Sequence, residues 1–561
     1  NASRFTITVA ATDQNGGVQS YSNYGVGILI SQSAGSVTTD LSGSDGYNSS
    51  SDYTQTFGGT SAATPIVSGI IALMREANEN LGWRDVHTIL AYSAAMTGSV
   101  MGGSPTGFEQ GAWFTSDNTA GLSWNGGGLT FNVSYGYGLV DAYAAVRLAE
   151  AWGIMFDGPK TSANEVSASQ TYFGGPVGIP DYPGAGDPTP GTITLTETDD
   201  IIIESILVTV DISHAFLPDL VISLQAPDGT IIELFANEAM ASSSGTFGWQ
   251  WTFEVQALKG FSSAGDWTLL VEENVFFSTP DNGTIDGFTI EFFGSAMTTD
   301  DVHIISHDWA EIIAFDGSRS VIRDTNGGTD WLNFVTANSD GSHGRGDIIL
   351  DMTAGGAFSI NGSQWGTLQT GSAVFENAIL GDGFDTVTGN GKDNEIHGMR
   401  GDDTLNGGDG SDVLNGGTGD DDLFGQANGD TLIGGLGNDT AVGGSGGDII
   451  YGDAGVDTLT GCNGFDELNG GSDGDTLNVV RGEDILRGGA GGDELNGDDG
   501  DDTLNGGNGF DTINGGLGRD DISGGRGDDT VSGGKGADEI EGNDGDDTLN
   551  GGKGGDTSDG G

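Results

Sequence analysis

The sequence predicts a multidomain chain: a layered α/β region, an all-β sandwich, and a C-terminal parallel β structure built from short repeats. Three observations predict it. Near the N-terminus apolar residues run together or recur at helical spacing. After residue 196 they alternate, as in half-buried strands. From residue 380 the sequence repeats with a period of nine.

Composition narrows the function before any motif is read. The 561 residues carry 83 acidic and 17 basic side chains, a formal net charge of −66. Nucleic acid and anionic membrane are therefore poor partners. A chain this acidic needs counter-charge to become compact, and a divalent cation with oxygen ligands, above all calcium, supplies it. Cys462 is the one cysteine, so no intrachain disulfide forms. That suits the cytosol, or a secreted protein stapled by metal instead of sulfur. No run reaches the roughly 18 apolar residues of a membrane span. The chain opens on Asn1 and stops inside a repeat at Gly561, so a piece cut at both ends is expected and missing targeting signals mean little.

In the first region, residues 1–155, Phe5–Val9 and Gly25–Ile30 read as strands and 35–56 as a polar loop. Gly58-Gly59-Thr60-Ser61-Ala62-Ala63-Thr64-Pro65 then delivers a serine to the start of an apolar helix, Ile66–Met74. A hydroxyl there sits at the positive end of the helix dipole, beside N–H groups able to hold an oxyanion. Pro65 is expected in the first turn, where its missing N–H costs little. Read alone, such a serine serves equally well as a helix cap. Further helices are expected from Trp83 to Ala95 and from Val140 to Trp152.

The string GGTSAATPIVSGIIALMREANENLGWRDVHTIL resembles the nucleophile segment of subtilisin-like serine proteases, in their kexin and furin branch. Ser3–Val9 and Tyr135-Gly136-Tyr137-Gly138-Leu139-Val140-Asp141-Ala142 extend the likeness in family order. The resemblance implies that this region is the C-terminal part of a subtilisin-like α/β domain, with Ser61 as nucleophile. It places the aspartate, the histidine base and the oxyanion asparagine upstream of Asn1. None of the six histidines stands in the family's H-G-T setting; His87 reads as a surface helix residue. A serine without its base is a weak nucleophile, so this stretch alone is expected to be inert.

Residues 156–195, rich in Gly, Pro and Ser, read as a linker. Residues 196–296 alternate like a sandwich, with a turn at Ala226-Pro227-Asp228-Gly229-Thr230. VDISHAFLPDLVISLQAPDGT, GDWTLLVEEN and GTIDGFTIEFFG resemble, in that order, the P domain of proprotein convertases, a β-sandwich of jelly-roll type. Asp211, Asp219 and Asp228 admit a metal site or, more simply, turn and strand-edge carboxylates. Residues 297–379, through Asp324–Asp330 and Val374–Ile379, resemble the lead-in to the repeats of serralysin-type proteases, which implies a β cap on the array. No H-E-x-x-H occurs, so zinc chemistry is not implied.

Residues 380–561 hold twenty consecutive nonapeptides of the form G-G-x-G-x-D-x-U-x, from Leu380 to Asp559. The sixth position is Asp in nineteen, with Asn394 the exception; the eighth is Val, Ile or Leu in eighteen, with Ala441 and Ser558 departing. This resembles the RTX repeat of calcium-binding β-rolls. Glycines permit the φ > 0 turns that bring carbonyls round an ion, the aspartate adds an anionic oxygen, and x-U-x forms a short strand with U inward. The predicted calcium ligands are Asp385, Asp403, Asp412, Asp421, Asp430, Asp439, Asp448, Asp457, Asp466, Asp475, Asp484, Asp493, Asp502, Asp511, Asp520, Asp529, Asp538 and Asp547. Two nonapeptides per coil, stacked at ~4.8 Å, give a parallel β-roll of about ten coils. A disordered acidic tail would not keep the register of both Asp and U. Cys462 fills a glycine position and marks a local flaw.

Together these resemblances imply a secreted, calcium-dependent serine endopeptidase acting on protein or peptide substrates. Calcium is its cofactor, and type I export machinery is a partner. The rival is a protease-derived calcium-binding exoprotein or adhesin without activity.

Overall fold

The computed structural model describes residues 4–22, 24–34, 36–39, 53–57, 59–99, 104–105, 113–115, 129–156, 158–181, 189–236, 247–273, 283–306, 308–315, 317–324, 327–337, 346–369 and 375–561. The chain divides into two compact units, residues 1–299 and 300–561.

The first unit begins with β1 (Val9–Thr12) paired in parallel with β2 (Ile30–Ser33), Val9 opposite Ile30. Both strands start later than the sequence suggests. Gly25 takes φ 135° and Ile28 N–H donates to its carbonyl, so a turn occupies 25–28 before the chain can extend. The polar stretch read as a loop carries β3 (Ser36–Thr39) and β4 (Tyr53–Phe57), an antiparallel pair. Three helices follow: α1 (Thr60–Ala77), α2 (Trp83–Ser93) and α3 (Ala142–Met155). α1 buries Ala63, Val67, Ile70 and Met74, a stripe at helical spacing, and leaves Leu73 half exposed. Asp141 caps α3 by accepting from Ala144 N–H at 3.0 Å. A short antiparallel pair, β5 (Phe114–Thr115) and β6 (Thr130–Phe131), lies before α3.

The rest of this unit is a sandwich. Its strands are β7 (Val166–Thr171), β8 (Val177–Ile179), β9 (Gly191–Glu197), β10 (Ile201–His214), β11 (Leu220–Gln225), β12 (Ile231–Ala236), β13 (Phe247–Val255), β14 (Gly265–Glu273) and β15 (Gly283–Ala296). One sheet runs β13-β10-β15-β7 with β8 also on β15; the other runs β12-β11-β14-β9. Ile206, Val208, Val210 and Ile212 alternate inward from β10, and Trp267, Leu269 and Val271 from β14. Trp267 and Phe292 meet at 5.0 Å between ring centres. Residues 156–195, read as a linker, supply β7, β8 and most of β9, paired to β15 and β14. Left alone, β14 and β15 would present bare ladder groups on that side, and these segments cover them.

The second unit is a two-sheet roll. A 13-stranded sheet runs from Val302–Ile304 through Trp331–Asn333 and Asn377–Ile379, then through alternate repeats to Thr557–Asp559. A sheet along a 14-strand path starts at Val321–Ile322, passes through Ser363–Leu368, Ala357–Ile360 and Ile348–Asp351, and takes the other repeats to Thr548–Asn550. Within the repeats strand partners are parallel and 18 residues apart, as in Leu459 opposite Leu477, whereas Ala357–Ile360 in the cap pairs antiparallel with both its neighbours. Two nonapeptides therefore make one coil. The eighth-position residues from Val387 to Ile540 form a continuous column that water does not reach. Residues 300–379 start both sheets and cap the column with Trp309, Phe334, Phe358 and Phe375.

Candidate functional site

Ser61 is the second residue of α1 and is exposed. Gly59, at φ 92° and ψ 172°, leads into the helix, and no side chain caps it. Ala62 N–H donates to the Gly59 carbonyl at 2.8 Å, and the Ser61 side chain takes no hydrogen bond among the described residues. An uncapped N-terminus leaves first-turn donors able to stabilise negative charge on an oxygen held there. Pro65 is the sixth helical residue, one turn deeper than expected. Its ring removes the hydrogen bond that would fall on the Ser61 carbonyl.

The histidines are accounted for as follows. His87 is buried, not a surface residue: it lies against the Trp83 ring at 5.5 Å, and burial, then Lys259, pushes its pKa down to about 3. α2 is buried on its polar side as well, at Arg84, Asp85 and His87, because the sandwich covers it there, which a single-helix pattern cannot reveal. His214 turns back onto Phe216, and His303 stands edge-on to Phe375. His397 pairs with Glu395 at 3.0 Å. His307 and His343 lie outside the described residues. No described histidine bonds to Ser61.

Below α2 the first unit holds a buried charged junction that the sequence did not signal. Arg84 reaches from α2 to Glu204 on β10 with two parallel bonds, Nε to Oε2 at 2.7 Å and Nη2 to Oε1 at 2.6 Å. It also donates to the carbonyls of Gly294 and Thr161 and to Ser295 Oγ. Burial works to raise the Glu204 pKa, but Arg84 and Lys259 overcome it and hold the carboxyl below its ordinary value. Lys259, itself buried, is pulled down to about 8. Tyr137 donates to the Gln256 carbonyl and accepts from Lys259 N–H. α2 and the Tyr135–Val140 segment are thus bonded to the sandwich through charge and hydroxyl, not through apolar contact alone.

In the roll, each sixth-position aspartate does two things. Its Oδ1 accepts the backbone N–H of the aspartate one coil earlier: Asp466 N–H donates to Asp484 Oδ1 and Asp484 N–H to Asp502 Oδ1, at 2.8 and 2.9 Å. Asp556 ends one of these two files, although it is absent from the predicted ligand set. The other oxygen, Oδ2, is buried and has no hydrogen-bond partner in Asp403 and in every sixth-position aspartate from Asp412 to Asp547. Burial is the first cause that raises the carboxyls of Asp403, Asp421 and Asp412, to about 8, 7 and 6. Asp385 differs, because its Oδ1 accepts from Ile348 N–H and its Oδ2 from Gly381 N–H.

The first-position glycine shows why no side chain fits beside that oxygen. A Cβ on Gly452 would lie 2.3 Å from Asp457 Oδ2 and 2.6 Å from the Gly470 carbonyl; Gly470 and Gly488 repeat the geometry. Among the described residues no three His, Cys, Asp or Glu converge, so carbonyls must complete any cation's shell. One orphaned carboxylate oxygen beside carbonyl oxygens is a donor set that fits calcium. Second-position residues take φ > 0 even without glycine, as at Cys462 (79°) and Asp453 (71°). Cys462 therefore follows the turn and does not break it.

Residues 1–138 match the model of the subtilase family, 203–292 that of the proprotein convertase P-domain, and segments from 379 to 558 that of the RTX calcium-binding nonapeptide repeat. The chain is similar to Protease KEX1 of Kluyveromyces lactis, 29% identical over 54% of this chain and 36% of that one. It is similar to Furin-1 of Xenopus laevis, 30% identical over 52% and 34%. A calcium-dependent protease of Nostoc sp. is 29% identical over 51% and 40%. The Aeromonas sobria serine protease, solved with its chaperone, aligns with 52% of this chain and 57% of that chain, at 24% identity and a TM-score of 0.41. The chain spans between a third and two fifths of the length of the curated relatives it matches. No helix among the described residues is long and apolar enough to cross a membrane. Three stretches of the chain thus match, in order, the models of the subtilase family, the proprotein convertase P-domain and the RTX calcium-binding nonapeptide repeat.

Proposed function

We propose that the chain belongs to a secreted, calcium-dependent serine endopeptidase in which Ser61 attacks the scissile carbonyl of protein or peptide substrates. The observation that carries this is Ser61 itself, exposed at the uncapped start of α1 within the residues matched to the subtilase model. First-turn N–H groups would stabilise the oxyanion, while the base that takes the hydroxyl proton lies outside the described histidines' contacts. The P-domain holds the α2 side of this segment through Arg84 and Glu204.

Calcium would be held in the roll by the aspartates whose first-position partner is glycine, together with turn carbonyls. It would supply the positive charge that the −66 chain lacks and make the tail rigid after export. Domain limits of 1–155, 196–296 and 380–561 follow this division of labour, with β7–β9 counted with the sandwich.

A fluorophosphonate probe tests the chemistry on the full-length protein. Labelling at Ser61 that disappears in Ser61→Ala supports the proposal; equal labelling of both, or of neither, refutes it.

A further inference from the structure

One turn of the roll departs from all the others that follow the cap. The first position is glycine in every repeat from Gly389 to Gly551 except one, which has Val479. At the neighbouring turns on the same edge that glycine is compulsory. A Cβ on Gly461 would stand 2.4 Å from Asp466 Oδ2, and one on Gly497 would stand 2.6 Å from Asp502 Oδ2 and 2.5 Å from the Gly515 carbonyl. Val479 brings three side-chain carbons to this position, is wholly buried, and joins the apolar column of the roll.

The second position departs at the same turn. From Met399 to Gly552 its residues have φ between 55° and 116°, with the single exception of Val480. A β-branched residue avoids that region, so the peptide planes run differently here. Val480 and Arg481 N–H both donate to the Cys462 carbonyl, at 2.9 and 3.0 Å. The strands Thr476–Asn478 and Glu494–Asn496 shrink to three residues where their neighbours have six. The stacking role survives, because Asp484 Oδ1 still accepts from Asp466 N–H. Asp484 Oδ2 stays buried without a hydrogen-bond partner, as in the other turns; what changes here is the residue beside it and the run of the peptide planes.

The cap offers a comparison. Leu380 is the other apolar residue at a first position, and it too is wholly buried. There the aspartate, Asp385, gives both oxygens to backbone donors, whereas Asp484 Oδ2 has none.

We infer that the turn Val479–Asp484 is a calcium-free joint: valine stands where the cradle needs glycine, the peptide planes that would offer carbonyls run differently, and the edge of the roll that carries it is divided into two calcium-loading blocks. The inference rests on the reading that the other aspartates hold calcium. It assigns Asp484 to stacking alone. The joint keeps two blocks in register by apolar contact where the remaining turns of that edge depend on a cation.

Equilibrium dialysis against calcium, with metal counted per chain and folding followed by circular dichroism, tests it on the whole protein. Asparagine keeps the Oδ1 acceptor, so Asp→Asn variants preserve stacking. Asp484→Asn should bind as many ions as the parent, and Asp466→Asn at least one fewer. Val479→Gly with Val480→Gly should bind at least one more. Loss of an ion in Asp484→Asn equal to that in Asp466→Asn overturns the joint. So does an unchanged count in a double-glycine variant that folds; if that variant fails to fold, the Asp→Asn pair decides alone. A parent chain that binds no calcium refutes the underlying reading instead, and is distinguishable from both.

Discussion

The buried pair between α2 and the sandwich gives the sharpest prediction about stability. Arg84→Met removes a cation whose residue is 1% exposed. It strands the Glu204 carboxylate and takes the donor from the Gly294 and Thr161 carbonyls. Breaking a buried pair by removing one partner costs about 3–5 kcal/mol, and the stranded carbonyls push the value toward the upper end. Glu204→Gln keeps an acceptor for Arg84, leaves the guanidinium its carbonyl partners and Ser295, and should cost less, about 2 kcal/mol. Restoring neutrality with Arg84→Met and Glu204→Leu together should recover part of the loss but not all, because the two carbonyls stay without that donor. Denaturant unfolding at constant calcium, followed by tryptophan fluorescence, measures each value. If Glu204→Gln cost as much as Arg84→Met, or if both cost under about 1 kcal/mol, the pair would not be the buried junction described.

Other expectations follow from the roll. Gly470→Ala places a Cβ 2.3 Å from Asp475 Oδ2; the calcium midpoint for folding, read by circular dichroism, should rise while Gly555→Ala, with open space around it, leaves it unchanged. Leu468→Ala opens the apolar column and should cost about 2–5 kcal/mol in the calcium-loaded state, measured by calorimetry. In chelator the roll should be helped by acid. The carboxyls of Asp403, Asp421 and Asp412 have folded pKa values of about 8, 7 and 6 against 3.8, so their contribution is complete below about pH 4 and disappears as pH rises through 6 to 8. Circular dichroism of the metal-free protein should therefore show more β structure at pH 4.5 than at pH 8.5, and calcium uptake near pH 7 should release protons; the reverse order of signals would refute the linkage.

Much of this architecture is legible in the sequence because it rests on local rules. The nine-residue period carries its own geometry, and the strict Asp and U positions gave the coil of 18 residues before any strand was placed. The helices at Thr60, Trp83 and Ala142 announce themselves by apolar spacing and small or capping residues. Strand starts were less legible: β1 and β2 begin only where parallel partners meet, and a turn at Gly25 delays the second. Long-range contacts were not legible at all. Val166–Thr171 looks like a linker because its inward residues are a valine, an alanine and a glutamine, yet β15 needs a neighbour there. His87 and Arg84 look like surface residues until the sandwich covers α2. Ser61 is singled out by its setting in the sequence, whereas the division of each Asp between stacking and an open oxygen needs the coil in three dimensions.

The buried files of sixth-position Oδ1 atoms run one way: each backbone donor finds its acceptor 18 residues further along. The exposed fifth-position residues run the other way, as Asp420 N–H donates to Asp402 Oδ1 and Arg519 N–H to Asp501 Oδ1. The backbone ladder also reaches back, from Thr440 N–H to the Asp421 carbonyl. Every inner coil is therefore clasped from both sides, and only a terminal coil is held from one.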